Sequence, residues 1–256
     1  MNRAPFRLVT WNCRQRVDAK RHALDLLGAH VVVLPECSSS PALAREFGVS
    51  FLWRGDYDAK GLAVVGFDGW TVEPLSAPVD LPWVLPARVV DPEGSEAFDL
   101  LAVWTVTRGN RLSYSKQVAS LLDAWAPALA AGNTIVAGDF NCSLQSTTQT
   151  VSHRRNVERF TRLGLRSGYH AFTGDEHGQE RVMTLQWVAR GGTRRGYHCD
   201  FVFLPDRLLG HVTSVGVGPV DVWVDGGLSD HCPVAVEFAG TWAESLDVES
   251  RESAPT

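Results

Sequence analysis

Near its C-terminus the 256-residue chain contains Leu228-Ser229-Asp230-His231-Cys232-Pro233-Val234, the stretch that best indicates its fold. An acid and a histidine stand side by side at the start of an alternating apolar run, which predicts a half-buried strand over residues 233–238. Carboxylate oxygens bind hard cations, and histidine ordinarily titrates near neutrality. Taken alone, the stretch predicts either a functional site at the rim of a sheet or a surface turn with a hydrated acid.

The composition is that of an ordinary globular protein with one sizeable core. Hydrophobic residues make up 45% and charged residues 21% of the chain, and no linker long enough to divide residues 6–239 is visible. We therefore expect one domain over residues 1–240. Residues 241–256 are rich in serine and glutamate and poor in apolar residues, which predicts an acidic, disordered tail.

The formal net charge of −5 is unevenly distributed. The predicted tail holds four acids and one arginine, a net of −3, which leaves −2 for the remainder. A nearly neutral body argues against binding of nucleic acid by overall charge alone. No charged-then-apolar leader precedes the first strand-like run at Phe6, and no apolar run is long enough to span a membrane, so the predicted location is the cytoplasm.

The cysteines contain no C-x-x-C pair, which argues against a structural zinc site. Because an intracellular protein rarely keeps disulfides, we interpret them as small apolar fillers beside strand ends. Their positions are Cys13, Cys37, Cys142, Cys199 and Cys232.

Apolar runs and helical spacing predict an alternation of strands and helices. The predicted helices cover residues 17–27, 111–129 and 152–163. The order of elements is roughly mirrored between the two halves, which indicates an α/β fold of two sheets packed face to face with helices outside. The predicted strands cover residues 6–12, 31–34, 50–53, 61–67, 84–90, 97–105, 134–141, 183–188, 198–204, 212–217 and 233–238.

Two of the most apolar strands end in an acid. The run at 31–34 stops at Glu36, and a carboxylate there needs a counter-charge, hydrogen bonds or a metal. Either a structural ion pair or a metal ligand meets that need. The run from 134 reaches Asp139, and Asn141 has the same strand period, so both side chains can address one ligand. Gly138, directly before Asp139, would allow close backbone approach.

Five stretches together, in this order, resemble the motifs of the endonuclease/exonuclease/phosphatase superfamily. That group includes deoxyribonuclease I, exonuclease III, abasic-site endonucleases, neutral sphingomyelinases and inositol polyphosphate 5-phosphatases. The resemblance spans about residues 6–239. The stretches are Thr10-Trp11-Asn12, Leu34-Pro35-Glu36, Gly138-Asp139-Phe140-Asn141, His198-Cys199-Asp200-Phe201-Val202-Phe203 and Ser229-Asp230-His231-Cys232-Pro233-Val234.

The resemblance implies a deoxyribonuclease I-like, four-layered α/β sandwich of two packed mixed β-sheets flanked by helices. It also implies a Mg²⁺-dependent phosphoester-cleaving site, in which Mn²⁺ can substitute. Glu36 looks like the principal metal ligand, with Asn12 and Asp230 near the metal or its waters. A sparse set of protein oxygens suits Mg²⁺, which keeps several waters.

The same resemblance implies four catalytic residues. Asp139 is similar to the residue that orients or deprotonates the attacking water, and Asn141 to the amide that holds a phosphate oxygen. His231 would contact the phosphate, and Asp200 would orient and charge it, because an acid partner stabilises imidazolium.

Trp104 departs from the nuclease pattern, in which a His or Tyr at the end of the matching strand touches the phosphate. Indole can donate one hydrogen bond but does not titrate, so Trp104 is predicted either to contact phosphate or to form a wall of the site. Cys142-Ser143 after Asn141 departs from the inositol 5-phosphatase pattern and disfavours that branch.

Basic residues suggest a surface for phosphates. Arg155, Arg159, Arg162 and Arg166 would form a cationic stripe if the helix continued to the last of them. The predicted loop Arg190-Gly191-Gly192-Thr193-Arg194-Arg195 combines glycine flexibility with three guanidinium groups, which bind phosphate bidentately. Lys60 is a further candidate cation near the cleft. Each set could equally be ordinary solvated surface.

Three functions follow from these observations. The first is a Mg²⁺-dependent nuclease that hydrolyses nucleic acid by in-line attack of water. The second is a phosphodiesterase or phosphatase for small or lipid-derived phosphoesters, which the nearly neutral body allows. The third is a catalytically silent nucleic-acid-binding module, which the complete acid and histidine set disfavours.

Overall fold

The computed structural model describes residues 5–39, 50–94, 97–107 and 112–240. The predicted tail at 241–256 lies outside the described residues, as does position 111, where the second predicted helix was expected to begin. The strands in chain order are β1 (Phe6–Thr10), β2 (Val31–Cys37), β3 (Ser50–Tyr57), β4 (Lys60–Gly66), β5 (Thr71–Pro74), β6 (Val84–Val90), β7 (Ala97–Trp104), β8 (Thr134–Asp139), β9 (Leu165–Ser167), β10 (Leu185–Val188), β11 (Arg194–Tyr197), β12 (Asp200–Pro205), β13 (Val212–Val217) and β14 (Val234–Phe238).

Two six-stranded sheets form the centre of the molecule. The first has the order β13-β14-β1-β2-β4-β3, the second has the order β5-β6-β7-β8-β12-β9, and β10 and β11 form a separate hairpin. β1 runs parallel to β2, and β7 parallel to β8, while their other neighbours are antiparallel, so both sheets are mixed. The helices are α1 (Arg21–Leu27), α2 (Tyr114–Ala130), α3 (Thr150–Arg162), α4 (Gly168–Thr173), α5 (Asp206–Leu209) and α6 (Val220–Trp223), with a 3₁₀ turn at Val17–Lys20 before α1.

The core between the sheets is built from inward-facing side chains of both. Val33 from the first sheet belongs to the same buried cluster as Leu100 and Ala137 from the second. Alternate residues of the same strands face outward, and Val32 packs beneath the segment that contains Leu24 of α1. The apolar run at 31–34 is therefore buried on both faces, as its sequence predicted.

Helices α2 and α3 cover the outer face of the second sheet. Val118 and Leu121 of α2 and Phe160 of α3 pack against Val136 and Phe203 of that sheet. The order of layers is helix, sheet, sheet, helix. This confirms the predicted four-layered α/β sandwich.

The predicted helix α3 ends at Arg162, so the condition for a cationic stripe on one helix is not met. Arg166 lies on β9, where its Nε donates to Asp206 Oδ1 at 2.6 Å. The predicted start of the strand at 198–204 is wrong, because β12 begins at Asp200. The predicted loop position of Arg194 and Arg195 is also wrong, because both lie on a separate strand, β11.

No helix in the described part of the chain combines the length and the apolar character that crossing a membrane requires.

Candidate active site

Strand pairing brings the acids of distant motifs to one edge of the second sheet. In the register of β12 with β8, Asp200 lies directly opposite Asp139. In the register of β7 with β8, Trp104 lies opposite Asp139 from the other side. Three residues that are far apart in sequence therefore meet at the end of one strand.

Motif residues of the first sheet lie beside the same end of β8. Asn12 follows β1, and its Nδ2 donates a hydrogen bond of 2.9 Å to Asp139 Oδ2. The residue after Asn12 continues alongside β2, where Cys13 N donates to Pro35 O at 3.1 Å. Trp11 Nε1 donates to His231 O at 3.1 Å, which ties β1 to the turn before β14.

Asn141 also contacts Asp139, but not by the geometry that its spacing predicted. β8 ends at Asp139, and Asn141 takes a left-handed backbone conformation with φ 47°. This turn lets its backbone N–H donate to Asp139 Oδ1 at 2.8 Å and its Nδ2 donate to Asp139 Oδ2 at 3.0 Å. Asparagine tolerates this conformation better than most residues. A turn, rather than a shared strand face, aims both side chains at one point.

Gly138 permits the close approach between β7 and β8, as predicted. A Cβ added at this position would lie 1.9 Å from Val103 O, which no side chain could accommodate. Its φ of 149° adds a conformation that L-residues rarely adopt.

His231 and Asp200 form a buried pair. His231 Nδ1 lies 2.8 Å from Asp200 Oδ2, and the side chains are 6% and 0% exposed. Thr184 Oγ1 accepts the backbone N–H of Asp200 at 3.1 Å, and Ser229 Oγ accepts the N–H of His231 at 3.1 Å. Asp200 Oδ1 is buried and has no hydrogen-bond partner among the described residues.

The pKa values of this network differ strongly from ordinary ones. Burial, followed by repulsion from Asp200, raises the pKa of Asp139 to about 7. Burial alone would lower the pKa of His231, but the charge and hydrogen bond of Asp200 outweigh it and raise this pKa to about 10. At neutral pH the His231 ring is therefore protonated, and the Asp139 carboxyl group is close to its pKa and can gain or lose a proton.

Glu36 lies at the end of β2 with a left-handed backbone, φ 60°, and a side chain that is 20% exposed. Lys60 Nζ lies 2.8 Å from Glu36 Oε2 and 5.1 Å from the centre of the Trp104 ring. Lys60 therefore lies beside both Glu36 and Trp104. Trp104 is partly buried and packs against the central core.

Asp230, like Glu36 a predicted metal ligand, has a side chain that is 36% exposed. Its Oδ2 lies 3.7 Å from Arg14 Nε. Arg14 N also donates to Asn12 Oδ1 at 3.1 Å. The segment 12–15 therefore links Asp230 to the Glu36 end of β2, where Gln15 N donates to Glu36 O at 3.0 Å.

These residues fit a hydrated Mg²⁺ through Glu36 and Asp230. Both side chains are partly exposed, and each forms an ion pair with a side-chain cation, Lys60 or Arg14, that a metal ion could replace. A second group, Asp139, Cys199, Asp200 and His231, brings its ligand atoms within 4.8 Å of one another. It fits Mg²⁺ poorly, since all of its carboxylate oxygens except Asp200 Oδ1 already accept hydrogen bonds and burial raises the pKa of the Cys199 thiol.

The predicted phosphate-binding loop is a hairpin turn between β10 and β11. Gly191 and Gly192 have φ of 98° and 82°, backbone conformations that glycine adopts readily and that close the turn. Arg190, Arg194 and Arg195 are exposed. Arg194 NH2 contacts Asp225 Oδ1 in an ion pair, and adjacent strand residues face opposite sides, so Arg194 and Arg195 point away from each other.

The cysteines match their predicted role as fillers. All five are buried and free. Three hydroxyl groups that hold the network are not evident from the sequence: Thr184, Ser229 and Thr105, whose Oγ1 donates to Phe140 O beside Asp139. Ser229 lies within a quoted motif, but nothing in the sequence distinguishes Thr184 from other threonines.

The model of the endonuclease/exonuclease/phosphatase family matches residues 9–231. Among curated proteins, none matches the chain in sequence.

Solved structures resemble the chain over nearly its whole length. An AP endonuclease from Archaeoglobus fulgidus is 16% identical with a TM-score of 0.68, and 91% of this chain and 99% of that chain are covered. A 3′ phosphatase, NExo from Neisseria, bound to a product DNA hairpin, is 17% identical with a TM-score of 0.67 and the same coverages. The endonuclease domain of TRAS1, a telomere-specific non-LTR retrotransposon, is 16% identical with a TM-score of 0.65, covering 91% and 98%. At these identities the likeness shows the fold alone.

Proposed function

The chain belongs to the endonuclease/exonuclease/phosphatase family, a family of phosphoester hydrolases, and we propose that it hydrolyses phosphodiester bonds of nucleic acid with a divalent metal, Mg²⁺. The observation that carries this proposal is the convergence of Asp139 with the His231–Asp200 pair at the end of the gap between the sheets. The similar structures include one that is bound to DNA, which supports nucleic acid as the substrate class.

In this proposal Asp139 accepts a proton from the attacking water or orients it. A general base is most effective when its pKa lies near the working pH, and that of Asp139 is raised to about 7. Asp139 Oδ2 accepts hydrogen bonds from both Asn12 and Asn141, which hold the carboxylate in position. Asn141 Nδ2 also donates to Thr105 O at 3.0 Å, and in this proposal it turns to hold a phosphate oxygen when substrate binds.

His231 supplies positive charge to the phosphate, since its pKa of about 10 keeps it protonated. Asp200 keeps the ring charged and oriented through the 2.8 Å hydrogen bond. Glu36 and Asp230 would hold the metal, with Asn12 at its edge. When bound, the ion supplies charge neutralisation of the phosphate and of the leaving oxygen. Lys60 and Trp104 would line the substrate side of this position.

The test is turnover on single- and double-stranded DNA, abasic DNA, RNA and a chromogenic bis-phosphodiester, with Mg²⁺, Mn²⁺ or EDTA. Asp139→Asn and His231→Ala should each lower turnover by about two to four powers of ten without unfolding the protein. Asp206→Asn and His22→Ala, an acid and a histidine on the exposed surface, are matched controls. Full activity in EDTA, or in either site variant, would refute the assignment.

A second candidate is a phosphodiesterase or phosphatase for small phosphoesters. It is favoured by a specific observation: Arg159, Arg166 and Arg194 are each paired with an acid, so the predicted cationic surface is partly neutralised.

Binding to duplex DNA separates the two candidates. Each phosphate contact adds about 0.9 to the slope of log affinity against log salt. If this hairpin contacts nucleic acid, Arg190→Gln with Arg195→Gln should flatten that slope by up to about two units. Turnover of the bis-phosphodiester by the same double variant should hardly change. Arg194→Gln, already paired with Asp225, is the matched control and should change the slope less. An unchanged slope in the double variant would favour the small substrate.

A further inference from the structure

A cluster of histidines lies outside the catalytic network, between α4 and the hairpin. The chain has 8 histidines, and several of them surround the ring of Phe201. The distances from the Phe201 ring centre are 5.2 Å to His198, 5.7 Å to His153, 6.0 Å to His177 and 6.1 Å to His170. The proposed hydrolysis uses none of these side chains.

Glu180 lies in this cluster with a side chain that is 1% exposed. Its Oε1 accepts the N–H of Gly178 at 2.9 Å and lies 3.1 Å from His170 Nε2. Its Oε2 is buried and has no hydrogen-bond partner among the described residues. Burial opposes ionisation, but the hydrogen bonds from His170 and Gly178 lower the pKa of Glu180, so the group is a buried carboxylate with one oxygen unused.

His170 and His177 present nitrogen atoms to the same place. Their rings stack with centres 3.5 Å apart, and His177 Nδ1 is buried without a hydrogen-bond partner in the described part of the chain. His170 Nδ1 lies 2.8 Å from Ser167 Oγ, the kind of outer contact that orients a metal-binding imidazole through its other nitrogen. Burial, aided by repulsion from His170, lowers the pKa of His177 to about 3, so its ring is neutral and its lone pair is available.

We propose that His170, His177 and Glu180 form a second metal site, which binds a borderline divalent cation, Zn²⁺ by preference. The ligand atoms of these residues all lie within 4.8 Å of one another. Tetrahedral Zn²⁺, with bonds of about 2.0–2.1 Å, separates its ligands by about 3.4 Å, so binding requires the His177 ring to rotate out of its stack with His170. Imidazole nitrogen with one carboxylate is a donor set that suits Zn²⁺ better than Mg²⁺.

The metal would hold the segment 174–184 in place next to the pair of His231 and Asp200. At the end of that segment, Val182 O lies 2.9 Å from His198 Nδ1, and Thr184 Oγ1 accepts the N–H groups of Cys199 and Asp200. Zn²⁺ at Glu180 therefore acts as a structural ion, separate from the catalytic metal.

The test is the zinc content and stability of the full chain, purified without a histidine tag. Mass spectrometry should find about one zinc per chain, and His177→Ala and Glu180→Gln should each lose it. Glu36→Gln alters the proposed catalytic metal position and should keep its zinc, as should His211→Ala, a control at a histidine outside the cluster. Zinc that disappears with Glu36→Gln instead would place the ion at the catalytic site and overturn the proposal.

Chelated wild-type protein provides a measurement that does not depend on the variants folding. Adding Zn²⁺ should raise its melting temperature by about 4 °C or more, and Co²⁺ should give the visible absorption of a tetrahedral site. If neither the melting temperature nor the absorption changes on addition of these ions, His170 and Glu180 form only a hydrogen-bonded pair, and the proposal fails.

Discussion

Asp200→Asn tests the electrostatics of the candidate site most directly. His231 Nδ1 lies 2.8 Å from Asp200 Oδ2, and an asparagine amide oxygen can accept the same N–H, so the change removes charge and keeps shape. The pKa of His231 rises from 6.5 to about 10 although burial lowers it, and Asp200 contributes most to the rise. At about 1.36 kcal/mol for each tenfold change in proton affinity, the rise corresponds to about 5 kcal/mol. In the variant we expect this pKa to fall below about 7.

The assay is an NMR titration of the His231 ring, combined with urea unfolding over a range of pH. In the wild-type protein the folded pKa lies above the unfolded value, so the imidazolium stabilises the fold fully below about pH 6.5. This stabilisation is lost as the pH rises through about 10. The variant lacks it, so the difference in unfolding free energy between the two proteins should be largest in acid and narrow by at most about 5 kcal/mol toward alkaline pH.

Asp206→Asn is the matched control, because Asp206 is 52% exposed and pairs with Arg166 at the surface. It should change neither the titration of His231 nor the pH dependence of stability. A His231 ring that stayed protonated to about pH 9 in Asp200→Asn would refute the reasoning.

Turnover should rise with pH through about 7 as Asp139 ionises and fall above about 10 as His231 loses its proton. A pH–rate profile without this rise and this fall would exclude Asp139 as the base and the protonated His231 as the group that contacts phosphate. Gly138→Ala should destabilise the protein by more than about 3 kcal/mol in urea unfolding, because the added Cβ would meet Val103 O at 1.9 Å; unchanged stability would contradict the close approach of the strands. Cys142→Ser should leave activation by Mg²⁺ intact, since burial raises the pKa of that thiol well above its usual range, and loss of activation in a metal titration would identify it as a ligand.

The layered fold was predictable because its signals are local. Residues 31–34 form an unbroken apolar run, and burial on both faces requires no more than that run. Val118 and Leu121 repeat at helical spacing, which selects the face of α2 that covers the sheet. The shortest elements, such as β9 with 3 residues and α5 with 4, were missed because they are too short to show a period.

Part of the candidate site was predictable for a similar reason. Asp139 and Glu36 stand at the ends of apolar strands, where the sequence marks them as acids near a sheet edge. Their order along the chain with the Asp200 and His231 motifs matches a known family, and the structure brings Asp139, Asp200 and His231 together. The metal and catalytic roles of these residues remain predictions.

The partner of each charge was decided only by the tertiary structure. Lys60 meets Glu36, Arg194 meets Asp225, and each of these pairs joins separate parts of the chain that no local pattern connects. Periodicity along one strand or helix determines which face is buried, because it depends on neighbours a few residues away. Ion pairs and shared ligands join residues that are distant in sequence, and their geometry depends on how the sheets and loops pack.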